Sequence, residues 1–545
     1  MRKSYKQILT KPKTWPIVKL ANNKKSFLND VSKNSIKNIL NKLNNKNLFE
    51  ELETTVYKEK LRIQKNPWRA DPPDEEDFWK KIQSSLINVG SVPSNIKKEK
   101  EEEILKKIVK RYANEISSNF KSTHYKFARR LIVTFFARLL NTARLRNPFG
   151  NLDLDNKINI LGKKNQLREL AKVGTIVMLP THFTHLDSAL IGWAISHLGL
   201  PPFMYGAGMV LFNMSIFSYF MDSLGAYKVD RRKKNLLYLE TLKTYSTESL
   251  VRGCHSLFYP GGTRSRSGSI NQNLKLGLLS SAFEAQKIIN KKKVKSKKIF
   301  IVPITFNYQF VLEAPALINQ YLISKGQEKF YLENLGYSNS YKIFKFLIKF
   351  FTKGSNISLS IGDPLDVYGN YVNKNGDSID SNHKKINNKS LINKEIKNSL
   401  KDLSSKISKE FHKGTQVFPS NIIAFTLFEE ICKKFKKLDF FTILRLSQED
   451  LFLDLEKFKI SYEKILNEIM KLNSKNKIKI FNDLKINIET QIKSGLDNLG
   501  MYHAEKPVII KNDKIHVQNM KLLYYYRNRL KGFGLKKIIQ TRFNL

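Results

Sequence analysis

Cysteine is nearly absent from this chain of 545 residues: Cys254 and Cys432 are the only two. They lie far apart and fit no metal-ligand spacing, so neither a disulfide framework nor a cysteine-built metal centre is expected. A reducing compartment suits such a chain, and Cys254 reads as a small buried residue. Acidic residues are scarce as well, 48 against 95 lysines and arginines, which leaves a formal net charge of +47. A field of that size draws anions, whether lipid head groups or polynucleotides. Part of it reflects a general bias towards lysine and asparagine. No basic motif interleaved with aromatic residues accompanies the charge, so no specific nucleic-acid partner is expected. No glycine-rich loop comes after an early strand, which excludes a dinucleotide-dependent oxidoreductase. No continuous apolar run succeeds the basic start Met1-Arg2-Lys3-Ser4-Tyr5-Lys6, so a secretory signal is not expected. The ending Phe543-Asn544-Leu545 is not a peroxisomal address.

The length admits two to four domains. Residues 1–95 are polar and irregular with short helical patterns, broken at Asn66-Pro67-Trp68-Arg69-Ala70-Asp71-Pro72-Pro73. Residues 96–161 read as a helical region that packs on the neighbouring α/β domain, because Ile104, Ile108, Tyr112, Ile116 and Phe120 recur every four residues. Residues 162–368 alternate strands, predicted at 175–179, 227–229, 256–259, 299–304 and 357–361, with helices such as 236–247 and 274–289. That alternation predicts an α/β sheet with helices on its faces. Residues 369–400, full of Asn, Ser, Asp and Lys, read as a mobile linker. Residues 401–545 read as a mainly helical C-terminal region with a short hairpin at 508–510 and 515–517.

One stretch concentrates chemistry: Pro180-Thr181-His182-Phe183-Thr184-His185-Leu186-Asp187. It comes after an apolar run rich in β-branched residues and stopped by proline, the pattern of a buried strand. Thr184 reads as a helix N-cap with Asp187 three residues on. His182 then sits in a strand-to-helix turn and Asp187 in the first helical turn. From there a carboxylate can orient an imidazole, and an oriented imidazole can take a proton from a hydroxyl. Taken alone, the same residues also describe a loop histidine and a capping acid. Three further segments come later in the chain: Leu224-Gly225-Ala226-Tyr227-Lys228-Val229-Asp230-Arg231-Arg232, then Phe258-Tyr259-Pro260-Gly261-Gly262-Thr263-Arg264-Ser265-Arg266-Ser267-Gly268, then Ile301-Val302-Pro303-Ile304-Thr305-Phe306.

Together the four segments resemble the blocks of the glycerolipid acyltransferases: H-x4-D, G-A-x-F-I-[DR]-R, E-G-x-R-S-R and V-P-[IV]. The nearest subgroup looks like the glycerol-3-phosphate and dihydroxyacetone-phosphate acyltransferases. In that subgroup residues 108–116 resemble the helix before the catalytic domain, and residues 522–528 resemble a segment near the C-terminus. The resemblance implies a mixed sheet flanked by helices, with helical N- and C-terminal regions. It also implies transfer of an acyl group from a thioester to a hydroxyl of glycerol 3-phosphate. The donor would be acyl-CoA or acyl-carrier protein, a co-substrate and not a resident cofactor. His182 would be the general base and Asp187 its orienting acid, with no enzyme nucleophile and no metal. His185, inside the spacer, reads as a first-turn helix residue. The phosphate of the acceptor would be held by Arg231 and by Gly262, Thr263, Arg264, Ser265 and Arg266, through backbone N–H groups and guanidinium forks. Arg232 reads as a surface charge. Backbone N–H groups at the helix start would stabilise the oxyanion, and Pro303 would shape the acyl pocket.

Two departures from the pattern matter. Gly261 stands where the third block usually begins with glutamate, which puts the acceptor geometry in question. Asp230-Arg231 stands where some glycerol-3-phosphate enzymes have Arg-Arg, and it looks more like the enzymes that acylate lysophosphatidate. Lysophosphatidate and dihydroxyacetone phosphate therefore stay open as acceptors, and so does a non-catalytic protein that binds lipid surfaces. Between Asp187 and Asp222 there is no Asp, Glu, Lys or Arg. Pro201-Pro202 splits this stretch, and its second half, 203–221, is long enough to span a bilayer. A single crossing there would put His182 and Arg231 on opposite sides. The expectation is instead a buried helix pair that lines an acyl channel or dips into one leaflet. Membrane association on the cytoplasmic face, against an anionic lipid surface, completes the reading.

Overall fold

The computed structural model describes residues 5–43, 47–90, 93–140, 158–209, 219, 221–270, 274–292, 298–325, 357–380, 382–386, 396–501, 503 and 505–540, with side chains 94–95, 132–140, 396–397 and 540 left aside. Its centre is a seven-stranded mixed sheet: β1 (Ile158–Gly162), β2 (Gly174–Pro180), β3 (Met204–Gly208), β4 (Ala226–Val229), β5 (Ser256–Leu257), β6 (Lys298–Tyr308) and β7 (Ile357–Ile361). The strand order is β1-β7-β6-β2-β5-β3-β4. β2 is apolar at nearly every position because both faces are covered, as expected of parallel strands inside an α/β layer. Each such Ile, Val or Leu side chain contributes about 1.5–3 kcal/mol on burial.

The pairing positions the site. β6, β2, β5, β3 and β4 run parallel to one another, and β7 and β1 run the opposite way. The segments that come after β2, β4, β5 and β6 therefore all leave the same edge of the sheet. The first and third sequence blocks come after β2 and β5, the second ends just beyond β4, and the fourth lies within β6. In open α/β sheets, ligands bind at that edge.

Five strands lie where the sequence placed them, and two were not expected. β1 is one. β3 is the other, and it occupies the start of a stretch expected to be the second helix of an apolar pair. Gly206 bears on the difference. A Cβ there would meet the Tyr227 ring of β4 at 3.1 Å, so glycine eases the close approach of β3 and β4, and glycine disfavours helix. The first helix of that pair, Leu186–His197, forms as expected. The rest of the apolar stretch, residues 210–218 and 220, lies outside the described residues. No described helix is long and apolar enough to cross a membrane.

The N-terminal region is more regular than its sequence suggested. Helices Lys24–Leu43, Leu48–Lys65, Glu75–Gly90 and Ser94–Ile116 pack together and against helix Leu236–Val251. Their inward faces carry polar residues, among them Ser35, Thr55, Glu59, Arg62 and Glu75, which interrupt the apolar period. The charges are satisfied in pairs. Arg62 bonds Glu59 at 2.7 Å and also Glu75, Tyr112 donates to Glu59 at 2.8 Å, and Lys233 meets Glu115 at 2.6 Å. Trp79, Leu105 and Tyr112 fill the apolar remainder.

Part of the expected linker at 369–400 forms regular structure. Tyr371–Val372 pairs with Ser378–Ile379 in a small hairpin. The Asn373 side chain closes its turn by accepting from the N–H groups of Asn375 and Asp377, both at 2.9 Å. Gly376 has φ +80, and a Cβ there would lie 2.6 Å from the Phe300 ring. Asn and Asp, read from composition as solvated, work here as turn formers. Residues 387–395 lie outside the described residues.

In the C-terminal region helix Pro419–Lys434 is buried along most of its length. It packs against helices Leu455–Ser474, Ile488–Asn498 and Met520–Arg527. The expected hairpin is present as Val508–Lys511 and Lys514–Val517, with Phe452–Asp454 as a third strand. All of this shares one apolar core with the sheet.

Candidate active site

β2 ends at Pro180, and the chain turns into helix Leu186–His197. Thr184 caps as the sequence suggested: its hydroxyl accepts from the Leu186 N–H at 3.4 Å, and its own N–H donates back to Asp187. The same hydroxyl donates to Glu313, with Oε2 at 2.8 Å, and the regular helix starts after His185. Asp187 is the acid of this cap. Its Oδ2 accepts from the N–H groups of Phe183 at 2.6 Å and Thr184 at 3.1 Å, and lies 2.7 Å from His182 Nδ1. Its Oδ1 accepts from the Tyr308 hydroxyl at the end of β6. The carboxylate is fully buried.

A carboxylate only accepts, so His182 donates through Nδ1–H and keeps Nε2 as a lone-pair acceptor. That is the tautomer of a general base. The His182 ring stacks on Tyr259, centroids 4.0 Å apart and planes 20° from parallel. Tyr259 is itself held by a 3.2 Å contact between its hydroxyl and Ser188 Oγ. Burial, with Asp187 close by, pushes both the Tyr259 and Tyr308 hydroxyls above the usual tyrosine range, so both stay protonated. The imidazole keeps 17% side-chain exposure, enough for a substrate to reach it. Beside it lies a cavity of about 10 Å³ bordered by Pro180, His182, Phe183, Gly261, Ser265 and Leu274.

The loop after β5 is tied directly to the histidine. Ser265 N–H donates to the His182 carbonyl at 2.7 Å, and the Ser265 hydroxyl donates to the Ser269 carbonyl. Gly262 adopts φ +75, which its lack of a Cβ permits, and its N–H closes a turn on the Tyr259 carbonyl at 2.9 Å. Ser265 and Gly262 therefore spend these groups on joining and shaping the two loops. Thr263 and Arg266 are exposed. Arg264 lies 3.5 Å from Glu313 Oε1, and the same oxygen accepts from His185 N–H at 3.0 Å. Glu313 thus connects the loop of the base to the arginine loop.

Arg231 and Arg232 separate sharply. Arg232 is committed to structure. It donates to Asp230 and Asp71, bonds the Asn66 carbonyl at 2.6 Å and stacks over Trp68 at 3.9 Å. Arg231 is exposed just beyond β4, on the edge that carries His182. Partial burial of its guanidinium holds it below the usual arginine range, a condition an anionic ligand would relieve. Tyr259 was visible in the sequence only as a member of the third block, and Tyr308 and Glu313 lie beyond the fourth. Alternation along β6 could have placed Tyr308, since residues 304, 306 and 308 share one face.

The family model described as Acyltransferase matches residues 159–307. Among curated relatives, the glycerol-3-phosphate acyltransferase of Pseudoalteromonas translucida (strain TAC 125) is 28% identical over 264 residues, covering 48% of this chain and 28% of that protein. The protein of the same name from Actinobacillus pleuropneumoniae serotype 5b (strain L20) is 28% identical over 250 residues, 44% of this chain and 27% of that one. The one from Haemophilus influenzae (strain PittEE) is 30% identical over 167 residues, 30% of this chain and 19% of that one. The chain thus matches less than a third of the length of these relatives. Among solved structures, a 1-acyl-sn-glycerophosphate acyltransferase from Thermotoga maritima aligns at 15% identity and a TM-score of 0.24, over 53% of this chain and 78% of that one; a score that low says nothing about the fold. With three blocks gathered at one sheet edge, the fourth inside β6, and the family match lying over the same residues, this part of the chain is similar to the Acyltransferase family and to the curated glycerol-3-phosphate acyltransferases.

Proposed function

We propose that this protein transfers a fatty acyl group from an acyl thioester, acyl-CoA or acyl-carrier protein, to a hydroxyl of glycerol 3-phosphate. One observation carries the reading: His182 is held through Nδ1 by a buried carboxylate at 2.7 Å while the imidazole stays partly open to solvent. His182 Nε2 takes the proton of the acceptor hydroxyl as that oxygen attacks the thioester carbonyl. Asp187 stabilises the imidazolium that forms. The tetrahedral intermediate collapses, the C–S bond breaks, and the thiolate takes the proton back from His182. The ester and the free thiol leave.

Arg264 and Arg231 are the guanidinium groups suited to the acceptor phosphate, with Arg266 and Thr263 exposed at the rim. The names of the relatives favour glycerol 3-phosphate. Lysophosphatidate and dihydroxyacetone phosphate are the alternatives, and a protein that only binds lipid surfaces is the non-catalytic one. We place the protein at the cytoplasmic face of a membrane, on the support of its charge of +47. Exposed Phe127 and Leu131, one helical turn apart among basic residues, add to that support.

The test is acyl transfer to labelled glycerol 3-phosphate, dihydroxyacetone phosphate and lysophosphatidate in parallel, with His182→Ala as the blank. Product from one acceptor, reduced about 10²–10⁴-fold in the variant, is expected. Turnover in His182→Ala near the wild-type level would remove the base mechanism. No product with either donor would favour the lipid-surface reading.

A further inference from the structure

Helix Met520–Arg527 delivers a short turn, Asn528–Leu530, into the back of the site. Asn528 Nδ2 donates to the Ser267 carbonyl at 2.9 Å, in the loop after β5. Tyr526 contacts the backbone of Val311, beyond β6. Gly268 has φ +80, and a Cβ there would lie 2.3 Å from the Tyr525 carbonyl oxygen, so the two backbones are in direct apposition.

Arg529 reaches furthest in. It is buried. Its guanidinium donates to the Phe306 carbonyl and to Asn307 Oδ1, the latter at 2.5 Å. It also lies 4.3 Å from the centroid of the Phe183 ring. Among the described residues no carboxylate is within ion-pair distance of it. A buried cation without an ion-pair partner is costly, and burial pushes this guanidinium down to about 10. Tyr525, then Asp187 and Tyr308, act against that shift. The two attachments of Arg529 are the segments that feed the Asp187 carboxylate: Phe183 gives its N–H to Asp187, and Phe306-Asn307 leads directly into Tyr308.

We propose that Arg529 is a positioning residue of the acyl-transfer site: its guanidinium bonds the Phe306-Asn307 segment and packs over the Phe183 ring, and so holds in place the two segments that donate to Asp187. The role rests on the acyl-transfer reading above. It makes the C-terminal region part of the active site.

The test is a double-mutant cycle on the full chain with the wild-type protein as control. Arg529→Gln is expected to lower kcat about 10–100-fold with both KM values within about twofold, the loss of a charge-assisted interaction. In an Asp187→Asn background the same change is expected to cost less than about threefold, because the two residues act as a unit. Equal losses in both backgrounds would make Arg529 merely structural and overturn the proposal. Arg529→Lys keeps the charge and is expected to retain kcat within about fivefold. A folded Arg529→Lys as slow as Asp187→Asn would also overturn it, and this arm holds if the Gln variant does not fold. A wild-type protein without turnover would defeat the functional reading instead. In that event the Nδ1 proton of ¹⁵N-labelled His182 reports on the dyad directly: the low-field signal of its bond to Asp187 is expected in the wild type and lost in Arg529→Gln. An unchanged signal would refute the role.

Discussion

Asp187 holds four hydrogen bonds in complete burial, three on one oxygen and one on the other. Removing a donor leaves part of an anion unsatisfied where water does not compensate. Tyr308→Phe deletes the only described donor to Oδ1. A hydrogen bond to a charged group is worth about 1.5–3 kcal/mol, so kcat should fall about 10–100-fold with little change in either KM. Steady-state kinetics on both substrates read this; a rise in KM alone would place Tyr308 in substrate binding. At this scale the sequence was legible where function is local. His182 and Asp187 lie within one turn of chain, so their meeting could be read from spacing. Tyr308 and Arg529 come from other strands and turns, and no local pattern links them to Asp187. Ser265 and Gly262 matched a block, but a block cannot tell a backbone group aimed at a ligand from one that closes a turn.

The elements that carry the arginines are held from outside the catalytic sheet. Beyond β4, Arg232 is fastened to Asp71 and Trp68, and Lys233 is buried among Glu59, Glu75 and Glu115. The exposed Arg231 is thus carried on a segment anchored next to it by the N-terminal helices. Asp71→Asn should loosen that anchor and raise the KM of the phosphorylated acceptor about 3–10-fold, with the thioester KM unchanged, since an ion pair of this partial burial exceeds the surface median. Equal changes in both KM values would show a general loss of structure. Helix Ser94–Ile116 was legible from its apolar period, whereas the helices before residue 95 were read only as short patterns, since polar residues such as Ser35, Glu59, Arg62 and Glu75 break up their buried faces. β3 escaped because Gly206, which packs on Tyr227, and Gly208 carry no strand signature. The strands that were found are those buried on both faces, where apolar runs are unambiguous.

For the whole molecule, acid is the exposed weakness. His255 is fully buried, accepts from the Ile176 N–H at 3.0 Å, and joins β2 to β3 through the Met204 N–H on its carbonyl. Burial holds its imidazole down to about 4. The unfolded chain protonates near pH 6.5 and the folded one only near 4, so the unfolded state binds more protons across that window. Stability from this group is therefore complete above about pH 6.5 and falls as pH drops towards 4, by about 3 kcal/mol. Urea unfolding at about pH 7 and about pH 4.5 measures it. His255→Asn, which can accept without titrating, should reduce the difference; an equal difference in the variant would assign the acid sensitivity elsewhere. The segment 525–529 carries another consequence. It packs on the loops and strand end behind His182, so the site draws on parts of the chain far apart in sequence. During translation the base, its acid and the arginine loop leave the ribosome well before their brace. A nascent chain would hold its catalytic pair loosely until residue 529 had emerged.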